Sequence, residues 1–280
     1  MTRAKRAREG IRVKSLTDEA ADIADRFLSA RRSAVGLADY PGALPSSLDE
    51  AYAVQDAAIA AWYRPVIGWK VGRINPPDSD RFGVDRLAGP IFRSERAAAD
   101  GTSPEMPVFG RGFAAGEAEF LLRIGTAPSP DQRDFSLEEA AALIDAVHVG
   151  IEVASSPLAA INDLGPTAVI SDFGNNNGIL VGHAIPNWRS SDFENWIVTT
   201  LIDGREVGTG RAADFPDGAI GAARFLFETL ARRGIALRPG QWISSGAVTG
   251  VHEARPGQRV EAAFGGGFQV SCTLVAARAE

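Results

Sequence analysis

The chain has 280 residues, 45% of them hydrophobic, and a formal charge of −6, so it carries enough apolar material for a sizeable core. Its one cysteine, Cys272, excludes an internal disulfide framework and a cysteine-based zinc site. No apolar run approaches the ~18 residues needed to span a bilayer, and a reducing, cytoplasmic location fits this composition.

The first 14 residues, MTRAKRAREGIRVK, hold six Lys or Arg against one Glu. With no aromatic or helical pattern beside them, they read as a short disordered, solvated tail. They lack an apolar segment, so they are not a secretory signal. The acidic remainder argues against general nucleic-acid binding, and no membrane partner is expected.

Apolar residues at helical spacing (Ala20, Ile23, Ala24, Phe27, Leu28) predict a helix over 17–32. A second helix follows in SLDEAYAVQDAAIAAWY, where Ser47 and Glu50 form a capping-box pattern and Arg64-Pro65 ends it. From Val66 the pattern changes to short strands separated by Gly and Pro: VIGWKVG, GPIF and GEAEFLLRI. Residues 136–146 predict another capped helix, with Ser136 and Glu139 as the box, and VHVGIEV a strand. The stretch IVTTLIDGREVGTG reads as a hairpin turning at Asp203-Gly204. An amphipathic helix is expected over 217–233, and the segments QWISSGAV, QRVEAAF and FQVSCTLV are β again. GGG at 265–267 lies between two strands and reads as a turn, not a phosphate cradle. The plan is α+β: a helical N-terminal region over 15–65 leading into a β-rich domain over 66–280.

Charges inside apolar strands mark the chemistry. In GEAEFLLRIG, alternation puts Ala118, Phe120, Leu122 and Ile124 on one face and Glu117, Glu119, Leu121 and Arg123 on the other. One reading is a half-buried strand with a wet outer face. Glu152 lies in HVGIEVAS, where a buried carboxylate is expensive unless its charge is compensated. Lys70 is the only charge in VIGWKVG, flanked on its own face by Gly68 and Gly72, which would leave open space beside the ammonium group. Three glutamates and a lysine can form two structural ion pairs. Alternatively the carboxylates hold a divalent cation, with Lys70 nearby as acid/base; hard oxygen ligands favour Mg²⁺ or Mn²⁺. Beside a cation and in an apolar setting, Lys70 is expected to have a lowered pKa. His148, His183 and His252 show no paired spacing, which leaves zinc chemistry without support, and His148 reads as a packed strand residue. No G-x-S-x-G elbow or P-loop appears.

From about residue 48 to 275 the chain resembles the 2-keto-4-pentenoate hydratase/4-oxalocrotonate decarboxylase family, within the fumarylacetoacetate hydrolase superfamily. The resemblance rests on AYAVQ at 51–55, GWKVG at 68–72, GPIF at 89–92, EAEF at 117–120, Glu152 in GIEVASS, SDFGNNNGILVG at 171–182 and SSGAVTG at 244–250. It implies a β-rich mixed-sheet roll of the fumarylacetoacetate hydrolase type. It also implies Mg²⁺ or Mn²⁺ held by Glu117, Glu119 and Glu152, and Lys70 as acid/base. Asn176 and Ser245 are placed by resemblance as substrate-orienting residues, and Arg73, just beyond the G-W-K motif, as a group that can face a carboxylate. The implied activity is hydration of a 2-hydroxy-2,4-dienoate to a 4-hydroxy-2-oxo acid in the catabolism of aromatic compounds, by a homo-oligomer. Decarboxylation of a 4-oxalocrotonate-like diacid and hydrolysis of an acylpyruvate use the same enolate chemistry. A non-catalytic partner subunit is the non-enzymatic alternative. The chain departs from the family in GVDRLAGPIF, with Ala88 where hydratases carry an Asp that works with the lysine. It departs again at Ser155-Ser156-Pro157, which replaces a D-S-R.

Overall fold

A computed structural model describes residues 16–97 and 103–280; the basic tail lies outside the described residues. In chain order the elements are α1 (Leu16–Ser33), α2 (Leu48–Trp62), β1 (Gly68–Arg73), α3 (Asp78–Phe82), β2 (Arg86–Ile91), β3 (Ser94–Arg96), β4 (Glu105–Val108), β5 (Phe113–Ile124), α4 (Leu137–Ala142) and β6 (Ile144–Ser156). They continue with α5 (Pro166–Ser171), β7 (Asn176–Ala184), β8 (Val198–Ile202), β9 (Arg205–Gly210), α6 (Gly218–Arg232), β10 (Trp242–Ser244), β11 (Arg259–Phe264) and β12 (Phe268–Ala276). No helix among the described residues is long and apolar enough to cross a membrane.

Two mixed sheets carry the fold. A seven-stranded sheet runs β2-β1-β10-β5-β6-β7-β3, and a five-stranded sheet runs β4-β12-β11-β8-β9. The apolar face of β5 (Ala118, Phe120, Leu122, Ile124) packs into one core with Val147, Val149, Ile151 and Val153 of β6. Val260, Ala262, Cys272 and Leu274 of the second sheet and Leu226, Phe227 and Leu230 of α6 complete that core. The sheets approach closely at Gly116, where a Cβ would sit 2.6 Å from Val260 Cγ1, so any side chain there would force them apart.

The opposite face of the seven-stranded sheet is divided. At one end, Phe113 and Ala115 of β5 and Ala154 of β6 pack with Phe27 and Leu28 of α1 and with Val54 and Ala58 of α2. At the other end, Leu121 packs with Ile91, Ile179, Val181 and Trp242. Glu117, Glu119 and Glu152 lie between these two apolar clusters, because strand alternation places them on the same face as both.

Several local expectations hold in detail. Asp203 and Gly204 both have positive φ, 51° and 75°, the conformation that a two-residue hairpin turn requires. Gly265–Gly267 turns β11 into β12, with Phe264 paired to Phe268. The Ser47 hydroxyl accepts from the Glu50 amide, but the Glu50 carboxylate reaches back to Ser46 rather than Ser47, so only half of the first capping box forms. The second, at Ser136 and Glu139, is complete. The helix it starts ends at Ala142 rather than 146, however. Ile144 pairs with Ile124, and the β5–β6 ladder overrides local helix propensity.

Candidate metal centre and active-site cleft

Register brings the charges together. Glu117 of β5 stands directly opposite Glu152 of β6. β10 inserts between β1 and β5, pairing Ser244 with both Lys70 and Leu121. Lys70, Ser244, Glu117, Glu119 and Glu152 therefore share one face of the sheet. Each of the three glutamates offers a carboxylate oxygen within 4.8 Å of the others. Glu119 and Glu152 are fully buried and Glu117 is 4% exposed. The wet-face reading of β5 is thus overturned: the helices and loops over this face leave only Arg123 partly exposed.

Two of the carboxylates are held by one oxygen each. Glu119 Oε2 accepts from the Ser244 hydroxyl at 2.5 Å and from the Gly246 amide at 2.9 Å. Glu152 Oε1 accepts from Asn176 Nδ2 at 2.9 Å and lies 3.4 Å from Lys70 Nζ. Glu119 Oε1 and Glu152 Oε2 are buried with no hydrogen-bond partner. A bare buried carboxylate oxygen is costly, and two beside a third carboxylate form the donor set a hard cation takes. The residues present therefore fit a divalent cation.

The electrostatics agree. Burial pushes Glu117 from the ordinary 4.5 up to about 7, with Lys70 opposing and Glu152 adding to the rise. Glu119 is raised well above the carboxylate range by burial, then by Glu152 and Glu117. For Lys70, burial works to lower the pKa, but the attraction of Glu152, Glu117 and Glu119 outweighs it, and the pKa is raised. The expected lowering is therefore not found. It needs the carboxylates' charge to be spent on a cation, and in the metal-free cluster that charge falls on the ammonium group.

Lys70, Glu117 and Glu119 open into a cleft of about 660 Å³, which Arg73, Asp78, Leu87, Asn175, Phe215 and Val251 also line. The two glycines beside Lys70 differ. A Cβ on Gly72 would lie 3.5 Å from Lys70 Nζ, whereas one on Gly68 would strike the Trp242 carbonyl at 2.5 Å. Gly68 thus serves close strand packing and leaves no space for a ligand. Behind Lys70 the chain makes a tight turn, with Phe173, Gly174 and Asn175 at φ of 58°, 66° and 64°. A Cβ on Gly174 would sit 3.1 Å from Lys70 Cδ, so the turn braces the lysine stem.

The remaining site expectations fall in three places. Arg73 is exposed at the cleft wall, its guanidinium 5.2 Å from the Phe215 ring. Ser245 donates its amide to Phe120 and lines a smaller adjoining cleft. Asn176 lines a separate cleft of about 590 Å³ while its amide holds Glu152. His148 packs edge-on to Trp242, with Nδ1 2.9 Å from the Gly182 carbonyl oxygen. Ala88 pairs with Val71 and lies in the core between the sheets, whereas Gly89 pairs with Lys70 and Leu87 pairs with Gly72. Residue 87, not 88, therefore shares the face of Lys70.

Sequence reasoning did not single out Ser244 or the Gly246 amide, because a strand of three residues is too short for alternation to show which serine faces inward. It also missed a buried network at the edge of the site. Arg31 of α1 grips Asp172 through Nε at 2.6 Å and an NH2 group at 2.9 Å. Ser156 donates to the same carboxylate at 2.6 Å. The Arg31 guanidinium also lies 5.4 Å from the Phe109 ring and 5.1 Å from that of Phe173.

No family model and no curated protein matches the chain. Solved structures do. The chain is similar to 4-oxalocrotonate decarboxylase from Pseudomonas putida G7, a structure complexed with magnesium and adipate, with a TM-score of 0.76 at 19% identity over 91% of this chain and 97% of that one. Fumarylpyruvate hydrolase from Pseudomonas aeruginosa, in complex with Mn²⁺ and pyruvate, matches with a TM-score of 0.55 at 17% identity, covering 75% and 89% of the two chains. For 5-carboxymethyl-2-hydroxymuconate delta-isomerase from Mycobacterium smegmatis the TM-score is 0.52 at 17% identity, covering 76% and 81%. Likeness at this identity concerns the fold, and the fold is the expected one: an α+β, β-rich mixed-sheet roll of the fumarylacetoacetate hydrolase type.

Proposed function

We propose that the protein is a divalent-cation-dependent enzyme that adds water to a 2-hydroxy-2,4-dienoate to give a 4-hydroxy-2-oxo acid. The observation that carries this reading is the Lys70 ammonium group paired with one of three clustered, buried carboxylates at a cleft. Glu117, Glu119 and Glu152 would hold Mg²⁺ or Mn²⁺, which when bound supplies a Lewis acid that stabilises negative charge on the substrate's 2-oxygen.

The chain's own residues do the rest. Lys70, poised between the cluster and the cleft, moves the proton from the 2-hydroxyl side to C5 as the dienol becomes a 2-oxo-3-enoate. Water then adds across the C3–C4 bond, its oxygen to C4 and a proton to C3. Arg73, fixed against Phe215, offers a cation to a substrate carboxylate at the cleft wall. Ser244, the Gly246 amide and Asn176 hold Glu119 and Glu152 in place.

A second reading, decarboxylation of a 4-oxalocrotonate-like diacid, is favoured by one observation. The residues of β2 that share the face of Lys70 are Leu87 and Gly89, so this strand sets no carboxylate beside the lysine. Loss of CO₂ needs no activated water, only stabilisation of the resulting dienolate and its protonation.

Purified protein with Mg²⁺ or Mn²⁺ should be offered 2-hydroxypenta-2,4-dienoate and 4-oxalocrotonate, with products identified by mass spectrometry. A 4-hydroxy-2-oxo acid from the first supports hydration. CO₂ released from the second, with no turnover of the first, moves the assignment to decarboxylation. No turnover of either by cation-loaded protein refutes both. Glu119→Gln should abolish turnover and weaken Mn²⁺ binding while leaving the fold intact.

A further inference from the structure

We infer that Ser244 and Asn176 are positioning residues that force Glu119 and Glu152 to bind a cation through one oxygen each, and so make the site prefer Mg²⁺ and Mn²⁺ over Ca²⁺. The inference rests on the cation reading above and deepens it.

The argument starts from which oxygens are already spent. Glu119 Oε2 accepts two hydrogen bonds, from the Ser244 hydroxyl and the Gly246 amide. Glu152 Oε1 accepts one from Asn176 and faces Lys70. The other oxygen of each carboxylate is buried and has no partner. The two glutamates thus present one bare oxygen apiece, and a rotation that brought both oxygens of either to one ion would break these bonds in a buried setting.

The donors are themselves fixed. Ser244 is fully buried on β10, between β1 and β5. The Asn176 carboxamide is held by accepting from the Gly178 amide at 3.0 Å, which also sets its NH₂ group towards Glu152. Mg²⁺ demands near-octahedral coordination at short distance, whereas Ca²⁺ accepts six to eight oxygens and commonly takes a carboxylate through both. One-oxygen ligation at two of three glutamates suits the smaller ion and starves the larger.

The test uses the full chain. In the wild-type protein loaded with Mn²⁺, the infrared splitting between asymmetric and symmetric carboxylate stretches should report one-oxygen ligation. In Ser244→Ala/Asn176→Ala, calorimetric titration should show Mn²⁺ affinity reduced about 10–100-fold and Ca²⁺ affinity reduced far less. The Mn²⁺/Ca²⁺ preference should fall by about tenfold or more. Loss of both affinities by the same factor would mean that the two residues merely support the structure, and would overturn the inference. A wild-type spectrum of two-oxygen ligation overturns it without need of the variant. Mn²⁺ binding with either outcome leaves the cation reading standing; no binding of Mg²⁺ or Mn²⁺ to the wild type removes both.

Discussion

Replacing Lys70 with methionine removes a buried positive charge and keeps most of the side chain's apolar volume. Lys70 is 6% exposed and 3.4 Å from Glu152, which has no other cationic partner as close among the described residues. Breaking a buried pair from one side costs about 3–5 kcal/mol. For a chain of 280 residues the unfolding entropy is roughly 0.6 kcal/mol/K, so the melting temperature should fall by roughly 5–8 °C. The loss has a signature. Burial already pushes the Glu117 carboxyl up to about 7, so the cluster sheds one negative charge on mild acidification. The deficit should therefore be large at pH 8.5 and small at pH 6. Saturating Mn²⁺ should recover much of it by supplying the missing positive charge, while turnover stays about 10²–10⁴-fold below wild type. Scanning calorimetry at both pH values, with and without Mn²⁺, measures all of this. Metal-free Lys70→Met melting within a degree of wild type at pH 8.5 would show that Lys70 does not compensate the cluster, and near-normal turnover would remove it from the mechanism.

The raised Glu117 makes the metal-free protein lose stability as pH rises. Its folded pKa of about 7 exceeds the ordinary 4.5, so the native state holds the extra proton and stability falls between these values by on the order of 3 kcal/mol. Mn²⁺ affinity should rise over the same range as protons cease to compete, and pH-flat melting and binding profiles would contradict the burial of this carboxylate. Asp172→Asn strands the buried Arg31 guanidinium and should cost about 3–5 kcal/mol, read by denaturant titration. Arg123→Ala breaks an exposed pair with Asp145 and should cost under about 1 kcal/mol; similar losses in the two would refute the contrast. Ala88→Asp puts an unpaired carboxylate into the inter-sheet core and should unfold or severely destabilise the protein. Leu87 is buried too, against Ala51, Ile74 and Ile170, but Leu87→Asp faces Lys70 and should lose less stability than Ala88→Asp, with a higher ratio of hydration to decarboxylation, so the reverse pattern of melting temperatures would refute the register at β2.

What the sequence determined by itself is local. A strand repeats every two residues, so Glu117 and Glu119 had to share a face, and Lys70 and Glu152 stood out as charges in apolar strands. The Asp203-Gly204 hairpin was legible for the same kind of reason: the turn demands residues that tolerate positive φ. The resemblance implies a metal site at these residues without stating any contact between them. Alternation states which residues share a face, however, and not what covers that face. The α1–α2 cluster at one end of the sheet and Leu121 with Trp242 at the other are what change the face of β5 from wet to buried, and with it the chemistry open to its glutamates. Register across strands is equally invisible in one chain. Ser244 reaches Glu119 from 125 residues away and Arg31 reaches Asp172 from 141. Only the β1–β2 pairing decides that Leu87 and not Ala88 stands beside Lys70. These outcomes rest on long-range pairing energies, which set the truncation of α4 as well as the fit of the carboxylate cluster to a cation.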